Sequence, residues 1–281
     1  MLTLLIAWIG AAVVALVVMR QGLAAAGSVF LLALLPAGVV AYQGNIIPVS
    51  CMLTTAVLAL QLRVTRSWAT VISTAPFVIV AWTAALLFYG GEYLQHLMAL
   101  LIDNVTVLQE QWRLVSEQAV SEQRGSQAAN GNRFFELYLE QMQAVKQEDL
   151  AAGEGLQLMT LTLLSLVTAR WWQAKLYNPG GFQQEFHQLR LSRGNIIILV
   201  LALLLFFSTE LYQAWARFFA VPMIVAGIAL AHGIVEIKKL GTLWLVLLYV
   251  LVTMLAPLLM MIAIIDSAID FRGRLAAAKT E

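Results

Sequence analysis

The sequence predicts an all-α fold, a polytopic transmembrane helical bundle of about eight spans with an extramembrane helical hairpin. Three observations predict it. Only 12% of the 281 residues are charged, where a globular domain carries about 25%. The apolar residues fall into long runs that suit lipid-facing helices. Between the fourth and fifth runs the composition becomes acidic, and apolar residues there recur at three- and four-residue steps, as on one face of a helix.

The first run, residues 2–19, has no Lys or Arg before Arg20. A secretory leader begins with a basic stretch and ends in a small-residue cleavage site, so this run reads as a retained span. Ala7, Ala11 and Ala15 share one of its faces and permit close helix approach. The second span covers 23–42, with Pro36 inside, and the third covers 47–62, opening at Pro48. At about 24 Å the third is short. The fourth covers 67–89 and contains Pro76.

Residues 90–155 carry ten acids against four basic residues, a net charge of −6. Leu94, Leu97, Met98, Leu101, Ile102, Val105, Leu108, Trp112 and Val115 form a helical stripe. Phe134, Phe135, Leu137, Tyr138, Met142 and Val145 form a second one. Residues 125–132, GSQAANGN, read as turn chemistry between them, so the segment is expected to be an antiparallel hairpin continuing out of the fourth span. A fifth span starts near Ala151 and runs into Trp171-Trp172. A sixth begins over 195–207, followed by a polar aromatic turn at 208–217. The seventh is 218–235 with Pro222, and the eighth 240–265 with Pro257. The hydrophilic tail, 266–281, is expected to fray. The organisation expected is a first four-span bundle (1–90), the hairpin (91–155), a second four-span bundle (156–265) and the tail (266–281).

Short-loop cations set orientation. Loops after the odd-numbered spans hold nine Lys and Arg, and the other short loops with the tail hold four. This puts residues 170–193 in the cytoplasm and the hairpin outside. The tail falls on the side opposite residues 170–193 if all eight runs cross; its basic residues prefer the cytoplasm, and seven spans would put it there.

Chemistry-bearing residues are few. Cys51 is the only cysteine, and His96, His187 and His232 share no metal-ligand spacing. The net charge of +1 gives no field for nucleic acid. No Ser-His-Asp set, phosphate-cradling G-x-x-x-x-G-K or carboxylate pair appears, so neither an enzyme nor a cofactor is expected. His232 lies one turn from Glu236, where the two would bond each other or headgroups. Pro36, Pro76, Pro222 and Pro257 are tolerated for packing, or free backbone groups for a transporter site.

The most varied stretch is the loop after the fifth span. Its candidate ligand or partner residues are Arg170, Trp171, Trp172, Gln173, Asn178, Pro179, Gly180, Gly181, Phe182, Glu185, Phe186, Arg190 and Arg193. The tryptophans suit the headgroup level and the basic residues suit a cytoplasmic loop. Asn178-Pro179-Gly180-Gly181 asks for more, because Pro fixes φ and Gly admits positive φ. It predicts a sharp turn that aims an amphipathic helix, 182–190, along the membrane surface. Arg190 and Arg193 are candidates to hold a phosphate or a partner's carboxylate.

The run from Ala169 to Leu191, ARWWQAKLYNPGGFQQEFHQLRL, resembles the signature of the YybS-like membrane proteins, a bacterial family of unknown function with about eight predicted spans. That family is distantly similar to the substrate-binding S components of energy-coupling-factor transporters. The resemblance implies a small-molecule role. Two functions are therefore expected to compete. One is a substrate-binding or permease-like component that works with an energising partner. The other is a scaffold in envelope biogenesis, docking a protein through the acidic hairpin or the cytoplasmic loop. In both the lipid bilayer is the constant partner, and nucleic acid is not one.

Overall fold

A computed structural model describes residues 2–117 and 122–277 of the chain. They are helical, with no strand among the described residues. The first helices follow the apolar runs: α1 Leu2–Gln21, α2 Leu23–Tyr42, α3 Ile47–Thr65 and α4 Trp68–Tyr89. Then come α5 Gly91–Glu117, α6 Glu122–Gln143 and α7 Gln147–Tyr177. The short α8 Gly181–His187 precedes α9 Arg193–Phe207 and a 3₁₀ turn at Glu210–Trp215. The chain continues through α10 Ala216–Ile237, α11 Leu243–Val250, α12 Val252–Ile269 and α13 Phe271–Ala277.

Seven helices among the described residues are long and apolar enough to cross a bilayer: α1, α2, α3, α4, α7, α10 with its preceding turn, and α12. The protein is a multi-pass membrane protein. The expected sixth span falls short. With 15 residues, α9 extends about 22 Å, less than the ~30 Å hydrocarbon core. The expected eighth span is not one helix. It breaks at Leu251 (φ −100°) into α11 and α12, about a turn and a half before Pro257, whose missing N–H leaves a carbonyl one turn back unpaired. By contrast, α2, α4 and α10 run unbroken through Pro36, Pro76 and Pro222.

The chain forms two compact units, residues 1–82 with 154–281, and residues 83–153. In the first, α1 packs along α3 and α2. Ala7, Ala11 and Ala15 are fully buried, so the small-residue face of α1 brings the backbones close. Hydroxyls then tie α7 to α1 and α3. Thr54 and Thr162 share a 2.8 Å hydrogen bond. The Ser165 hydroxyl donates to the Trp8 carbonyl at 3.1 Å, and the Trp8 indole donates to Thr168 Oγ1 at 3.0 Å. In lipid such bonds supply what the hydrophobic effect does not. The other half is built on α10, which packs on α9 and α12. A Cβ added to Gly227 would lie 2.3 Å from the Leu259 carbonyl oxygen, so only glycine permits this crossing.

The second unit contains the hairpin, with α5 packed on α6. Two expectations are corrected there. Residues 125–132 do not form the turn; they are helical within α6, and residues 118–121 lie outside the described residues. Gly131 serves close approach instead, since a Cβ there would collide with the Trp112 indole at 2.2 Å. Nor is α5 an unbroken continuation of α4, because the helix is interrupted at Gly90. The tail is corrected too. It is helical to Ala277 in α13, and only 278–281 lie outside the described residues.

Gly227→Val is expected to lower stability by about 1–3 kcal/mol through overpacking against fixed backbone. Gly38, with open space around its Cα, is expected to accept Ala neutrally or with a gain of up to about 1 kcal/mol. Thermal unfolding of both variants in one detergent checks this; equal loss from the two would contradict it.

Candidate functional site

The stretch from Arg170 to Arg193 folds as the end of α7, a tight turn, α8 and a short extended link. The turn is built by the residues that predict it. Gly180 sits at φ +85°, a region that disfavours any side chain with a Cβ. The Gly181 amide donates to the Asn178 carbonyl at 3.0 Å. Gly181 is required for a different reason: a Cβ on it would lie 2.3 Å from the Asn178 carboxamide. Pro179 occupies the exposed crest.

Helix α8 is shorter than expected, ending at His187. It presents different chemistry on two sides. On one, Glu185 accepts from Arg170 Nε at 2.9 Å and from Arg170 Nη2, a bidentate pair. Arg170 Nη1 donates to Gln173 at 2.7 Å, and the Trp68 indole donates to Glu185 at 3.3 Å. On the other side Phe182 and Phe186 stack with centroids 6.0 Å apart. Phe182 meets Trp68 edge-on, and Phe186 meets His232 edge-on. The helix is thus held by a charged fork and an aromatic row, each worth more than its area alone.

Beneath the aromatic side lies an apolar cavity of about 270 Å³, among Ile72, Leu164, Val167, Val221, Val225 and Ile228. It shares Val167, Phe182, Phe186 and Tyr249 with a second pocket of about 540 Å³ rimmed by His187, His232, Glu236 and Lys239. The rim is hydrogen-bonded. His232 Nδ1 donates to the Ile228 carbonyl at 2.9 Å. A carbonyl only accepts, so the proton is on Nδ1, and Nε2 is free to accept from the Tyr249 hydroxyl at 3.3 Å. Glu236 pairs with His187, not with His232 as its one-turn spacing suggested.

Three arginines tie this loop to the end of α12. Arg272 donates to the carbonyls of His187 (2.6 Å) and Leu189 (2.9 Å), and to Asp266 at 2.8 Å. Asp266 is 2% exposed and also accepts from the Phe271 amide. Arg190 pairs with Asp270 at 2.9 Å, and Arg193 donates to the Ala268 carbonyl at 2.9 Å. Arg190 and Arg193 therefore both hold groups of this chain. Arg272 reaches the loop because the end of α12 lies at the same end of the bundle, the side that a seven-span count gives the tail.

Of the other candidates, Trp171 is exposed with the Lys175 ammonium 5.0 Å over its ring, and Trp172 is half-buried. Sequence reasoning missed Trp68, Asp266, Arg272 and Tyr249, which lie far along the chain from the loop. It took Arg63 and Arg66 as topology signals alone. No family model, curated protein or solved structure matches the chain.

The Asp270 carboxyl is held below its ordinary range, first by the Gly273 amide donating to it and then by Arg190. A depressed carboxylate pKa stabilises fully above the unfolded value, about 3.9, and that contribution is lost as pH falls through the folded pKa. The stability difference between wild type and Asp270→Asn is expected to stay constant from pH 7 to 5 and to shrink only below about pH 4. Removing Arg272 strands a buried carboxylate, so Arg272→Ala should cost about 3–5 kcal/mol. Arg272→Lys should cost less, keeping the charge and losing the fork. Equal costs in thermal unfolding would contradict this assignment.

Proposed function

We propose that this protein is a non-enzymatic, substrate-binding component of a small-molecule permease in a bacterial cytoplasmic membrane, dependent on a partner for energy. The observation that carries the reading is the apolar cavity under α8 joined to a polar, hydrogen-bonded rim. Ligand sites are mostly apolar with a few placed polar groups. An aliphatic or aromatic body would lie among Ile72, Val167, Val221 and Val225. A polar end would meet His232, Tyr249, Lys239 or the His187–Glu236 pair. The substrate class is therefore a small amphiphile. The resemblance of residues 169–191 to YybS-like proteins, and through them to S components, supports the same reading.

A scaffold role is the second reading. It draws on the hairpin, where Leu108, Trp112 and Val115 of α5 and Phe134 and Leu137 of α6 remain exposed. Such a surface suits a protein partner.

The two readings separate in one experiment. The protein, purified in mild detergent, is examined by native mass spectrometry with identification of small molecules that remain bound. A substrate-binding component should retain an amphiphile, and Val225→Trp, which fills the cavity, should abolish its retention while leaving the protein folded. Retention unchanged by Val225→Trp, or proteins alone co-purifying and lost on Trp112→Asp, would overturn the binding reading in favour of the scaffold.

A further inference from the structure

We propose that the arginine-lined pocket on the Glu185 side of α8 binds a phosphate-type anion, as a separate site from the amphiphile cavity. The pocket is about 490 Å³ and brings together Arg63, Arg66, Arg170, Gln173, Trp68 and Glu185. Three guanidiniums face one carboxylate, a surplus of two positive charges. Arg170 is spoken for, with Nε and Nη2 on Glu185 and Nη1 on Gln173. Arg63 uses Nη1 to cap the Val18 and Met19 carbonyls at the end of α1 (3.4 and 3.0 Å). Its Nε and Nη2 have no partner among the described residues. Arg66 has none for its whole guanidinium, and it occupies the left-handed C-cap of α3 at φ +52°, a conformation that a side chain with a Cβ adopts at a cost.

Structural demand accounts for Arg170 and for half of Arg63. It does not account for Arg66. Positive-inside bias asks for a cation somewhere in this loop, not for one lining the same pocket as two others. Two guanidiniums with open donors lining one recess suit the oxygens of a tetrahedral anion, which guanidinium recognises bidentately. The carboxylate in the pocket, Glu185, is held by Arg170, so the donors left for an anion are those of Arg63 and Arg66. The anion can be a soluble phosphate or the headgroup of an anionic phospholipid, since these loops lie at the face where positive residues meet anionic lipid.

Thermal shift and native mass spectrometry in phosphate-free alkyl-maltoside micelles test the site, with inorganic phosphate and with short-chain phosphatidylglycerol as separate probes and chloride as the ionic-strength control. Arg66→Asn is the variant, because Asn tolerates the left-handed backbone and no side-chain partner is lost. Lys175→Gln removes a charge from the last turn of α7, outside the pocket, and serves as control. Saturable binding of phosphate, weakened about tenfold or more by Arg66→Asn and unchanged by Lys175→Gln, supports a soluble anion. The same pattern with phosphatidylglycerol only supports a lipid headgroup. Failure of both probes to bind, or equal binding by wild type and Arg66→Asn, overturns the proposal. A loss as large with Lys175→Gln reduces the effect to bulk charge and overturns it too.

Discussion

The Arg272–Asp266 clasp is the contact on which the loop end of the molecule depends. A buried ion pair is a poor source of net stability on its own, because desolvating two charges offsets their attraction. Here the arginine has further work, since two of its donors close on the carbonyls of His187 and Leu189. Those carbonyls stand just where α8 ends and the chain turns extended, and where water would otherwise be needed. Asp266 holds the fork in the orientation that reaches them. Gly233 makes room, as a Cβ there would approach the His187 carbonyl and the Arg272 side chain at about 3.1–3.2 Å.

With that end fixed, α8 becomes a divider. Seven residues are too few to be stable as an isolated helix, so its position comes from what it touches. Arg170 and Trp68 hold Glu185 on one side. Phe182 and Phe186 cover the apolar cavity on the other. The hold on Glu185 and the aromatic cover of the cavity therefore rest on the same short helix.

The all-α class, the positions of α1 to α4 and α7, and the turn before α8 were legible because each rests on a local property: run length, helical period, or the conformational range of Pro and Gly. Gly180 is an instance, where the dipeptide alone predicts positive φ. The hairpin turn was misplaced because GSQAANGN has turn composition. Gly131 is there for the Trp112 ring, a tertiary reason that leaves no local mark. The tail was read as frayed because its charges looked solvated. Asp266 and Arg272 are six residues apart and find each other, and the loop some eighty residues back, only in the folded chain. Arg190 and Arg193 were rightly seen as unusual, but their partners, Asp270 and the Ala268 carbonyl, were again in the tail. Tyr249 and His232 meet across the α10–α11 connection for the same reason.

Hydrogen–deuterium exchange of the backbone amides from Gly181 to Leu191, in the full-length protein in mild detergent, addresses the clasped loop most directly. The amides of Gln184, Gln188 and Leu189 are internally bonded, and Leu189 and Leu191 are buried. Exchange slowed by orders of magnitude relative to an unstructured peptide, on the scale of stable local structure, is the result expected. Exchange of these amides at the rate of a free surface loop would contradict the clasp, the divider and the two pockets it separates.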